Sequence, residues 1–144
     1  MMNGKKKRKP LLGGAVILTL LLCCGCSNKV PLTGQVTFAD DGSPLTQGIV
    51  CFASPGFLAR GYLDTEGMYR VSSTGSNDGL PKGKYKVYLV GAELVTTDGG
   101  GNSFYTPLVD SRYDNADTTD IEFEVDGRTR QFDFTVERAS TRRR

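Results

Sequence analysis

Lys84-Tyr85-Lys86-Val87-Tyr88-Leu89-Val90 is the stretch on which the reading of the fold turns. In an extended chain Tyr85, Val87 and Leu89 share one side while Lys84 and Lys86 take the other. That period of two marks a strand with one buried and one wet face. Two later segments repeat the device with acids in place of lysines. Ile121, Phe123 and Val125 alternate with Glu122, Glu124 and Asp126; Phe132, Phe134 and Val136 alternate with Asp133, Thr135 and Glu137.

Working back toward the N-terminus, Val36 and Phe38 alternate with Gln35, Thr37 and Ala39, and Asp40-Asp41-Gly42-Ser43-Pro44 supplies turn residues. A second run, Gly48 to Ala53, stops at Ser54-Pro55-Gly56. Gly61-Tyr62-Leu63 then leads through Asp64-Thr65-Glu66-Gly67 into Met68-Tyr69-Arg70-Val71, which predicts a hairpin. Pro81-Lys82-Gly83 reads as the turn into the 84–90 strand. No segment after residue 30 carries a helical stripe, although 111–116 fits a single turn. The sequence therefore predicts an all-β domain with turns at the spacing of a sandwich. Between Gly91 and Tyr113 lies a long connection containing Thr96-Thr97-Asp98-Gly99-Gly100-Gly101-Asn102. Neither a helix nor Gly-Lys-Ser/Thr follows it, so it reads as a hairpin tip or crossover and not as a phosphate cradle.

The 144 residues leave room for one small domain once the N-terminal segment is set aside. Eighteen glycines, six prolines and no tryptophan or histidine suit a turn-rich β protein. Without histidine the chain lacks the commonest general base and the commonest transition-metal ligand. Five of the eighteen basic residues (Lys5, Lys6, Lys7, Arg8, Lys9) precede the domain, leaving thirteen against sixteen acidic residues in the remainder. An acidic domain of this kind argues against a nucleic-acid partner.

The same five basic residues open a targeting pattern. They are followed by the apolar run 11–22 (LLGGAVILTLLL) and at once by Cys23-Cys24-Gly25-Cys26-Ser27. Basic, then apolar, then small is the order of a signal peptide. A dozen apolar residues fall short of the roughly 20 that a stable membrane-spanning helix needs. Gly25-Cys26 resembles the core of a bacterial lipoprotein signal, in which a small residue precedes a cysteine that receives diacylglycerol before cleavage. Cys23 stands three before it, where such signals usually have leucine. Cys24 is the alternative site, but no small residue precedes it. Lipid attachment at Cys26 divides the chain into a signal peptide (1–25), a lipidated N-terminus with a short linker (26–30), a β-sandwich domain (31–138) and a basic tail (139–144). Several acyl chains on one cysteine, at about 0.8 kcal/mol per buried CH₂, make such an anchor close to permanent. Cys51 would then be the one cysteine available to the domain, with no intradomain disulfide.

Three phrases in order carry a family resemblance: Leu32-Thr33-Gly34-Gln35-Val36 with Gly42-Ser43-Pro44-Leu45 and Gly48-Ile49-Val50-Cys51-Phe52; Gly61 to Tyr69; and Gly79-Leu80-Pro81-Lys82-Gly83-Lys84-Tyr85-Lys86-Val87. Together with Arg112-Tyr113-Asp114-Asn115 and the 121–125 strand, they resemble the carboxypeptidase regulatory-like, or transthyretin-like, domains of many small lipoproteins of planctomycete-type bacteria. The resemblance implies a seven-stranded Greek-key sandwich of the prealbumin kind. It also implies a non-catalytic accessory, adhesive or structural module. Gly67 and Gly83 fit tight turns into strands, and Tyr69 and Tyr85 can bury their rings with the hydroxyls paired.

Other chemistry is thinly represented. Asp110, Asp114, Asp117, Asp120 and Glu122 form the densest acidic stretch, read either as a solvated loop or as oxygen ligands for calcium, though without the EF-hand pattern. Paired carboxylates of a glycosidase would need a cleft that so small a domain can hardly spare. Neither a Gly-x-Ser-x-Gly elbow nor a histidine to activate a serine or Cys51 is present. Cys51 is either a small core residue or, if it faces away from Val50 and Phe52, a reactive or bridging thiol. Tyr62, Tyr88, Phe104 and Tyr105 are candidate surface aromatics. The expectation is a membrane-anchored cell-envelope lipoprotein, not an enzyme, with no cofactor, no metal and no catalytic residues. Its sandwich would contact an envelope protein or polysaccharide, or alternatively serve a separate enzyme or transporter as a carbohydrate- or calcium-binding accessory. Ser27 and Asn28, with no aspartate after the cysteine, favour the outer membrane.

Overall fold

The computed structural model describes residues 28–140. The expected signal peptide (1–25), Cys26 and residues 141–144 of the expected basic tail lie outside them. The described chain is all-β. Its strands are β1 (Lys29–Val30), β2 (Thr33–Phe38), β3 (Ile49–Ser54), β4 (Phe57–Tyr62), β5 (Met68–Arg70), β6 (Leu80–Pro81), β7 (Gly83–Val90), β8 (Glu93–Thr97), β9 (Ser103–Pro107), β10 (Glu122–Val125) and β11 (Phe134–Val136). The expected single turn is present as a 3-10 helix at Ser111–Asp114.

Seven of these strands build two open sheets, one ordered β10-β7-β3-β4 and the other β11-β2-β5. The four shorter ones stand outside, as the pairs β1-β6 and β8-β9. Pairing is antiparallel except between β2 and β11, the first and last strands of the sandwich, which run parallel. The chain crosses between the sheets after β2, β4, β5 and β10.

The strand at 84–90 behaves as its sequence dictates: Tyr85, Val87 and Leu89 are buried and Lys84 and Lys86 exposed. From the opposite sheet Val36, Tyr69 and Val136 close the core. At its centre Phe52 is fully buried and lies with its ring 6.1–6.5 Å from those of Tyr69, Tyr85, Phe123 and Phe132. Both buried tyrosines keep their hydroxyls paired, Tyr69 donating to the Phe132 carbonyl at 2.5 Å and Tyr85 to that of Pro81 at 2.8 Å. Burial accordingly pushes the Tyr69 phenol well above its ordinary range.

The segment 61–71 departs from the sequence expectation. The Asp64–Gly67 turn forms, with Gly67 at φ +72°, but it joins strands of different sheets. β4 pairs with β3 in a hairpin turned at Pro55-Gly56, whereas β5 pairs with β2. One bridge, Arg60 to Ser72, is what remains of the expected hairpin. The reason is the Tyr69 ring, which lies against Gly61 from the other sheet; a Cβ on Gly61 would stand 2.9 Å from it. Just before residue 31, Lys29–Val30 pairs with Leu80–Pro81.

Candidate functional site

Two-residue periodicity gives every strand of the four-stranded sheet an outward row. Cross-strand register assembles those rows into a surface. Tyr62, Ile49 and Val90 stand abreast at one end; Arg60, Cys51 and Tyr88 form the next row; Leu58, Ala53, Lys86 and Glu122 the next. Tyr62 is 71% exposed, Val90 45% and Leu58 38%. An ion pair on this face, Lys86 with Glu122 at 2.5 Å, is exposed and holds the Glu122 carboxyl below its ordinary value. Such pairs contribute little to stability.

Beyond Val90 the chain leaves the sheet as the β8-β9 hairpin, in the stretch where the sequence predicts only a connection. Val95 pairs with Tyr105 on one face, while Leu94 and Phe104 share the other. From Leu94 to Pro107 every residue is exposed. A two-stranded hairpin is marginal in water by itself, and this one is fixed at both ends. At its base the Leu108 N–H donates to the Ala92 carbonyl, and Ala92 and Val109 are buried. At its tip Asp98 accepts from the N–H groups of Gly100 and Asn102 and from the Asn102 side chain, all at 2.9 Å. These bonds hold its carboxyl below the ordinary value, the Asn102 side chain contributing most. The glycine run is therefore a capped hairpin tip.

Among the described residues, every exposed large hydrophobic side chain lies on one of these two surfaces: Leu58, Tyr62 and Val90 on the sheet, Leu94, Val95, Phe104 and Tyr105 on the hairpin. The outer face of the three-stranded sheet instead presents Thr33, Gln35, Thr37, Arg70 and Thr135, with the half-buried Met68 as its apolar member. Scattered exposed apolar residues need no explanation, but their confinement to this sheet face and to the two faces of the hairpin does.

The residues singled out from sequence are only partly brought together. Tyr62 and Tyr88 occupy neighbouring rows of the sheet, with Tyr88 half-buried, whereas Phe104 and Tyr105 point to opposite faces of the hairpin. In the acidic stretch, Asp110 accepts from the N–H of Arg112 and Glu122 pairs with Lys86. Among the described residues no group of three or more Asp, Glu, Cys or His side chains is placed to hold a metal ion. A surface depression along β4 and β5 is lined by Tyr62, Asp64, Glu66 and Arg70. Its Asp64 carboxylate already accepts from the N–H groups of Glu66 and Met68.

Cys51 does face away from Val50 and Phe52, yet it is 2% exposed. Burial pushes its thiol up, with Arg60 pulling the other way, and a buried thiol of raised pKa is a poor nucleophile. In the folded domain a maleimide is expected to leave Cys51 unlabelled until denaturant is added. Labelling at the rate of a free peptide thiol would contradict the placement.

No helix among the described residues is long and apolar enough to cross a membrane. No family model matches the chain, and no curated protein matches it. Among solved structures, the major pilin subunit of Bacillus cereus is similar over 78% of this chain and 30% of its own, at 12% identity and a TM-score of 0.45. A 9R-lipoxygenase from Cyanothece is similar over 75% of this chain and 16% of its own, at 16% identity and a TM-score of 0.37. The chain thus spans less than a third of either protein, and at these scores neither likeness assigns it a family or an activity.

Proposed function

We propose that the protein is a lipid-anchored cell-envelope lipoprotein whose β-sandwich is a non-catalytic interaction module, of the carboxypeptidase regulatory-like, transthyretin-like kind. Gly25-Cys26 at the end of the apolar run supports the anchor. The observation that carries the interaction role is that, among the described residues, the exposed large apolar side chains gather on the outer face of the four-stranded sheet and on the hairpin. Aromatic and aliphatic side chains mixed in this way suit the core of a protein–protein contact. Both edges of the hairpin lack a sheet neighbour among the described residues, so its backbone N–H and C=O groups are open to strand addition. The partner is thus an envelope protein in preference to a polysaccharide.

Photo-crosslinking in the cells that make the protein tests this. A photoreactive phenylalanine analogue in place of Tyr105 or Tyr62 is expected to give a discrete crosslinked species, and the same analogue at Thr135, on the polar face, to give none. Crosslinks from Thr135 alone, or from no position, would overturn the assignment.

A further inference from the structure

The two ends of the sandwich differ in charge. β7 runs the length of the domain, roughly 25 Å for its residues at the usual strand rise. At its Gly83 end lie β1, paired through β6, and the β10–β11 loop, since Val125 is the register partner of Gly83. At its Val90 end lies the hairpin. Only Ser27 and Asn28 separate Cys26 from Lys29, so a lipid anchor at Cys26 can stand no more than about 11 Å from the β1 end.

That end is basic. Lys82, Lys84, Arg128 and Arg130 are exposed, and none forms an ion pair with a described residue. The acids nearby offset this charge only in part. Asp78 accepts from Lys29, Ser73 and Gly75; Asp126 accepts from the N–H groups of Arg128 and Thr129; Glu124 stands opposite Lys84. At the hairpin end Asp40 and Asp41 pair with Arg138 and Glu137 pairs with Arg112, while Asp64, Glu66, Glu93 and Asp98 have no basic partner among the described residues.

We infer that the Lys82, Lys84, Arg128 and Arg130 end of the sandwich rests on an anionic lipid surface, standing the domain upright with the hairpin presented away from the membrane. The inference rests on lipid attachment at Cys26. Each basic side chain held near an anionic surface strengthens the contact about fivefold, and the anchor keeps this end within reach. Like charge at the opposite end disfavours the inverted orientation.

The test uses the processed full-length protein, its acylation checked by intact mass, in vesicles of phosphatidylcholine with or without phosphatidylglycerol and with spin-labelled headgroups as quencher. A fluorophore is attached through Thr129→Cys in the β10–β11 loop or Gly99→Cys at the hairpin tip; Cys51 is buried. Quenching at position 129 is expected to be several-fold stronger with phosphatidylglycerol. It should fall back at high salt, where the Debye length shrinks to about 3 Å, and in Arg128→Glu/Arg130→Glu, while position 99 stays unquenched throughout. Acylated protein with equal quenching at the two positions, or with quenching at 129 indifferent to lipid charge and salt, overturns the orientation and leaves the anchor standing. Unacylated protein overturns both.

Discussion

Phe52→Ala is expected to lower the free energy of unfolding by about 3–5 kcal/mol. Against a total of about 5–15 kcal/mol for a domain, that is a large part of the fold's stability. Phe52 sits on β3, yet its ring meets Tyr69 from the other sheet, Tyr85 and Phe123 from its own, and Phe132 on the approach to β11. Truncation therefore opens a cavity where both sheets meet, and the aromatic pairs lost with it are worth about 0.5–1.5 kcal/mol each beyond area. Urea titration followed by tyrosine fluorescence reads the change. A loss below about 1 kcal/mol would mean that the rings around Phe52 collapse to fill the space, and that it is not the hub the packing describes.

Gly34→Ala is expected to do comparable damage for a different reason. Gly34 is the register partner of Tyr69. A Cβ there would stand 1.9 Å from the Phe132 carbonyl oxygen and 2.6 Å from the Tyr69 hydroxyl, the two atoms joined by the buried hydrogen bond. The clash includes backbone, so a rotamer change cannot relieve it. Either β2 and the 132–134 segment move apart or the Tyr69 bond is lost and leaves a buried carbonyl unpaired. Destabilisation of about 4 kcal/mol or failure to fold is the expected outcome. Tyr69→Phe provides the comparison. It removes the same hydrogen bond without the clash and should cost only about 1–3 kcal/mol. Equal losses in the two variants would show that the close approach at Gly34 contributes nothing of its own.

The strands that were legible in the sequence are those whose core-facing residues are large and whose outer ones are charged or polar. β7, β10 and β11 show this, and the paired hydroxyls of Tyr69 and Tyr85 follow from the same reasoning. β4 breaks the pattern because it is inverted: Ala59 and Gly61 face the core, while Leu58 and Tyr62 face solvent. The small inward residues make room for Tyr69, a requirement set by the opposite sheet and invisible in local periodicity. β8 and β9 were hidden differently. With both faces of the hairpin wet, no burial constrains alternation, so apolar residues fall next to one another as Leu94-Val95 and Phe104-Tyr105. Of the contact surface, the aromatics could be named from sequence. Which of them share a face depends on the register between β3, β4 and β7, a long-range property. β1 and β6 are two residues each and carry no periodicity to read.

In the proposed account, lipid attachment at Cys26 would give the two surfaces their roles, one end toward lipid and the hairpin toward a partner. Intact mass and detergent partitioning of the protein from a lipoprotein-competent host, compared with Cys26→Ser, test it most directly. The wild type is expected to begin at Cys26, to carry acyl mass and to partition into detergent, while Cys26→Ser keeps its leader and gains no lipid. Wild type that is unmodified, whether released in soluble form or retained with residues 1–25 in place, would contradict the account.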